Sequence, residues 1–111
     1  MALTITDTDA SPPQAIQGGT SGYKAVVKTV ALDSSYPTGG ESLTAAMLGL
    51  STVVFLIAQP TSGYVFEYNY TDSKLLAYYG NYDAADGVLI DVPDTTDLSA
   101  VTGIRLFAIG T

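Results

Sequence analysis

Hydrophobic and polar positions alternate along much of this chain with a period of two, the repeat of a strand that shows one face to a core and the other to water. The pattern is clearest where Tyr64, Phe66, Tyr68 and Tyr70 share one parity while Val65, Glu67 and Asn69 share the other. Thr71 to Lys74 is turn-forming, and Leu75 to Tyr79 resumes the apolar pattern, so the stretch predicts a β-hairpin. Tyr23 to Leu32 also alternates, with Lys24 and Lys28 on one parity and Tyr23, Ala25 and Val27 on the other. The run within Thr52 to Gln59 breaks the alternation: Val53 to Ala58 is apolar on both parities, which predicts a strand covered on both faces. Gly103 to Ile109 ends the chain as a strand too apolar to sit bare at an edge. Val88 to Val92 leaves room for one short strand more.

Between these runs, Asp33 to Gly40 and Pro60 to Gly63 carry the Pro, Gly, Ser and Asp of turns. Ala45 to Leu48 predicts a single helical turn, capped by Ser42 or Thr44 and stopped by Gly49 in a left-handed position. Asp97 to Val101 offers a brief turn before the last strand. Residues 1–22 hold the alternating piece Leu3-Thr4-Ile5-Thr6 and two clusters of breakers, around Pro12-Pro13 and Gly18-Gly19, and so read as an N-terminal arm with at most one edge strand. The arm needs a partner surface for Leu3 and Ile5, and a neighbouring subunit is the expected one. Residues 23–111 form the domain proper. Short strands punctuated by Gly and Pro predict an all-β fold, a compact antiparallel β-sandwich of which the jelly roll is one form.

Composition narrows the chemistry more than it widens it. The 111 residues contain no Cys and no His. Disulfide frameworks, thiolate metal sites and Cys- or His-based nucleophilic catalysis are therefore excluded. No Ser-x-x-Lys spacing replaces them. Eleven acidic residues against four basic ones give a charge of −7, which repels phosphate backbones and anionic lipid, so neither nucleic acid nor membrane is an expected partner. No run approaches a membrane span, and the N-terminus lacks the basic and apolar regions of a signal peptide, so the chain reads as made in the cytoplasm.

Carboxylate pairs such as Glu41 with Glu67, or Asp83 with Asp86, are the pairs a glycosidase would need, but an acidic chain supplies such pairs by chance. Asp83, Asp86, Asp91, Asp94 and Asp97 crowd one segment without the spacing of an EF-hand; separate turns and caps explain them, and no metal or other cofactor is expected. The aromatic face from Tyr64 to Tyr70 reads as core or subunit interface. Tyr78, Tyr79 and Tyr82 follow the hairpin, where an exposed tyrosine would stack on a sugar or dock on a protein.

Four stretches, Ser35-Tyr36-Pro37-Thr38-Gly39-Gly40-Glu41-Ser42-Leu43-Thr44, Leu48-Gly49-Leu50, Ser62 to Tyr70 and Leu98 to Arg105, resemble a group of small structural proteins of tailed phages, over roughly Tyr23 to Gly110. That group is similar to capsid cement, or decoration, proteins. The resemblance implies a non-enzymatic homotrimer on the outer surface of the mature head that holds major capsid protein subunits together, made in the host cytoplasm and carried in the virion. It carries over no catalytic residue. Tail or fibre components share the fold, and a carbohydrate-binding β-sandwich is the competing reading from another class. On the cement reading, Leu3, Ile5, Pro12 and Pro13 are expected to grip a neighbour or the shell. Tyr36, Pro37 and Glu41, in a loop rich in rigid turn residues, form a second expected contact.

Overall fold

A computed structural model of the chain describes residues 4–7, 14–15, 22–80 and 88–111. Among them lie nine strands: β1 (Thr4–Asp7), β2 (Gln14–Ala15), β3 (Lys24–Ala31), β4 (Glu41–Ser42), β5 (Val53–Ala58), β6 (Val65–Asn69), β7 (Lys74–Tyr79), β8 (Ile90–Asp91) and β9 (Ile104–Gly110). All the pairings between them are antiparallel. One sheet runs β1-β3-β9-β5, with β2 also on β3, and the other runs β4-β7-β6, with β8 also on β7. The fold is an all-β sandwich.

The terminal strand β9 lies in the middle of its sheet, as its composition requires. Its register fixes the inner face of the larger sheet. Val26, Ala108 and Leu56 stand in one row across β3, β9 and β5, and all three are buried. The next inward row is Lys28, Leu106 and Ala58, so the parity of β3 that carries the lysines faces inward and Val27 faces outward. Arg105 decides this. Its charge keeps the Arg105, Phe107, Ile109 parity of β9 outside, and the register sends Val27 and Ile57 out with it.

The smaller sheet contributes Phe66, Tyr68, Leu75 and Ala77 to the core, and connecting segments add Leu43, Leu48, Leu50, Leu98 and Val101. The predicted hairpin forms between β6 and β7, and Asn69 Oδ1 accepts the backbone N–H groups of Thr71 and Asp72 to shape its turn. The predicted helical turn is a 3₁₀ turn, Ala46–Leu48, ended by Gly49 at φ 77°. Neither Ser42 nor Thr44 caps it: the capping position is Ala45, without a side-chain bond, because Ser42 is drawn into β4 and Thr44 N–H points to Met47 Sδ at 3.4 Å.

A close approach and a bulge set the pairing of β5 with β9. At the end of β9, a Cβ on Gly110 would overlap the carbonyl oxygen of Thr52, so β9 passes β5 closer than any side chain permits. An extra residue in β5, Val54, then forms a bulge between Val53 and Phe55.

Candidate functional site

Among the described residues, the outer face of the larger sheet is left uncovered. Across β3, β9 and β5 the register aligns Ala25, Ile109 and Phe55 in one row and Val27, Phe107 and Ile57 in the next. Ile57 is 57% exposed, Phe55 47% and Phe107 37%. Thr29 and Arg105 begin a third row, which Gln59 continues through its N–H bond to the Arg105 carbonyl at 2.8 Å. Pro60 and Gln59 border a shallow hollow above Ile57 and Phe107. The apolar side chains on this face expose on the order of 300 Å², the size of a functional patch. None of the residues that β3, β9 and β5 place here is acidic, although the chain carries eleven acids.

β1 and β2 form one edge of this sheet and β5 the other. On one side β1 and β2 pair with β3. On the other, the Tyr70 hydroxyl, at the end of the hairpin strand, accepts the N–H of Leu56 at 3.0 Å and lies 3.4 Å from its carbonyl. Leu56 sits opposite Ala108 in a pair whose backbone groups point away from β9, so Tyr70 takes the central free groups of the edge strand. The Tyr70 ring stands edge-on to Tyr68, 5.0 Å between centroids, which fixes it in that position.

The loop expected to make contacts is instead part of the core. Tyr36 is 1% exposed. Its hydroxyl donates to Asp91 Oδ1 at 2.7 Å and accepts the N–H of Ala77 at 2.9 Å. Its backbone bonds to Thr96 and Thr95, which ties the Asp33–Gly40 loop to the segment before β9. Burial pushes its phenol well above the ordinary range. Pro37, beside it, is half-buried.

Glu41 is likewise 1% exposed, and neither carboxylate oxygen has a hydrogen-bond partner. Burial, reinforced by the neighbouring Asp33, pushes it up to about 7. The cause of its burial is local: at Gly40, φ 102°, a Cβ would lie 2.7 Å from the Leu75 carbonyl oxygen, so the chain presses onto β7 and sets Glu41 opposite Leu75. Tyr36 and Glu41 are therefore corrected from contact residues to interior ones.

Ile5 is half-buried against the core on β1, opposite Val30 of its own chain. Leu3, Pro12 and Pro13 lie outside the described residues.

The remaining candidates are separately accounted for. Glu41 and Glu67 do not share a cleft: Glu41 pairs with buried Leu75, and Glu67, opposite Leu76, lies on the other face of that sheet. Glu67 Oε1 accepts the Tyr78 hydroxyl at 3.0 Å. Burial first, then that bond, pushes the Tyr78 phenol up. Tyr79 is half-buried against the core, and Tyr78 is half-buried on the outer face of the smaller sheet.

Asp91 serves Tyr36, and Asp94 accepts the N–H of Thr38. Asp97 accepts from Ser99, which holds its carboxyl below the usual range. Tyr82, Asp83 and Asp86 lie outside the described residues. Among the described residues no group of three acidic side chains stands ready for a metal, and no helix is long and apolar enough to cross a membrane.

The residues that form the open face, Phe55, Ile57 and Phe107, were not singled out in the sequence as contact residues. The signal was present: a strand apolar on both parities, beside one whose outward parity is marked by Arg105. Among known proteins, no family model matches the chain, and no curated protein or solved structure matches it significantly.

Proposed function

We propose that this chain is a non-catalytic structural protein of the capsid decoration type, which binds the outside of a mature tailed-phage head as a homotrimer and clamps neighbouring major capsid protein subunits. The observation that carries this reading is the apolar outer face of β3, β9 and β5, on which these strands place no acid, a surface suited to protein contact. The stretches that resemble such proteins are consistent with it in a particular way. Gly39, Gly40, Gly63 and Gly103 all take positive φ, and Tyr36 is a core latch, so the shared residues are those that shape the scaffold.

Clamping works by mass action. A protein that occupies only the mature lattice stabilises it by RT ln(1 + [L]/Kd), about 2.7 kcal/mol per site at a hundredfold excess over Kd. Threefold valency multiplies weak individual contacts as long as all three engage at once.

The test is the copy number of this protein relative to the shell protein in purified virions, by quantitative mass spectrometry. A ratio within a few-fold of the shell protein is expected. A handful of copies per particle would move the protein to the tail or fibre, and its absence from virions would overturn the structural reading.

A further inference from the structure

We infer that the outer face of the larger sheet, centred on Ile57 and Phe107, is where copies of this chain bind one another through the side chains of that face, rather than where the chain meets the shell. The inference rests on the reading above for its setting and names the partner at that face.

Charge selects a second copy as occupant. Two copies at −7 repel wherever their acids meet, yet β3, β9 and β5 place no acid on this face and one base, Arg105, at its margin. It is the surface on which like chains approach at least electrostatic cost. Area points the same way. With Gln59, Pro60, Arg105, Thr29 and Ile109 around the apolar centre, the face offers on the order of 700 Å², close to the ~800 Å² per partner of a standard stable interface.

The mode of contact follows from the edges. Lengthening the sheet at β5 by adding a neighbour's strand is opposed, because the Tyr70 hydroxyl holds the N–H and carbonyl of Leu56 there. Contact through the side chains of this face needs no backbone group. It also supplies the second cover that a strand apolar on both parities requires: among the described residues Val53–Ala58 is covered on the Leu56 and Ala58 side only.

The chain has no Cys, so a single introduced thiol reports the contact cleanly. Ile57→Cys, on this face, is compared with Val65→Cys, on the outer face of the other sheet, by oxidative crosslinking at micromolar concentration. Light scattering on a sizing column is run alongside on wild type, Ile57→Asp and Phe55→Asp. The expected results are a wild-type mass that is a multiple of the 11.5 kDa chain, a crosslinked species from Ile57→Cys at least tenfold above that from Val65→Cys, and single-chain mass for both Asp variants with unchanged strand signal by circular dichroism. A wild-type protein of single-chain mass overturns the inference, as does equal crosslinking from the two thiols. The crosslinking result stands even if the Asp variants fail to fold. A dimer would uphold this face as the contact between copies while removing the trimer from the functional reading. An oligomer that never appears in virions would sink the cement reading and leave this contact intact.

Discussion

Glu41→Gln separates the shape of a buried side chain from its charge, and the outcome depends on pH. The native carboxyl is pushed from 4.5 up to about 7, chiefly by burial, whereas the unfolded chain releases its proton near the ordinary value. Below 4.5 both states hold the proton, and the group does not disfavour folding. Between 4.5 and 7 the unfolded state ionises while the native state keeps its proton, so the native state binds more protons and stability falls as pH rises. Above 7 both states are ionised and the loss is complete. At about 1.4 kcal/mol per pH unit, that interval puts the full loss at ~3 kcal/mol.

A glutamine has no proton to release. The stability difference between wild type and Glu41→Gln should therefore move toward the variant by ~2–3 kcal/mol between pH 5 and pH 8, which is roughly 10–20 °C in relative Tm for a domain of this size. Urea denaturation of both proteins at the two pH values measures it directly. A difference that stays constant within ~0.5 kcal/mol across that range would show that Glu41 is solvated or paired in solution, and would refute its placement inside the sandwich.

Tyr36→Phe removes one hydroxyl and strands the buried N–H of Ala77 and the half-buried carboxylate of Asp91. A loss of ~2–3 kcal/mol is expected by chemical denaturation, and a loss under ~0.5 kcal/mol would contradict the latch. Tyr70→Phe leaves the core intact but frees the Leu56 backbone at the edge of β5. Stability should fall by only ~1 kcal/mol, while thioflavin-T-positive aggregation at elevated temperature should speed up; unchanged aggregation kinetics would mean that Tyr70 does not guard the edge.

What the sequence made legible was everything decided within one or two strands. The Tyr64 to Tyr70 parity, the turn at Thr71 to Ser73 and the stop at Gly49 are local, and each emerged in place. Tyr36 was illegible for the opposite reason. A tyrosine among Ser, Pro and Gly has the signature of an exposed loop, and its burial depends on Ala77, Asp91 and Thr96, which lie 41 to 60 residues away in sequence. Glu41 misled in the same way. Two glycines before an acid read as a solvent-facing turn, and only the approach of Gly40 to Leu75 drives the carboxylate inward. For the N-terminal segment, the alternation at Leu3 to Thr6 specifies a strand but not whose edge it joins, and here β1 joins β3 of its own chain.

The most informative disagreement concerns Val53 to Ala58. Apolarity on both parities says that both sides should be dry, and one chain dries only one of them. Had the outer positions merely tolerated apolar residues, their neighbours across the register would be mixed. Instead Ile57 faces Phe107 and Phe55 faces Ile109, pair by pair, until Arg105 ends the apolar rows. Agreement between residues 50 positions apart in sequence is a property of the surface and not of the strand. A surface so matched, with its edge closed by Tyr70, has the physical character of an interior face awaiting a second layer.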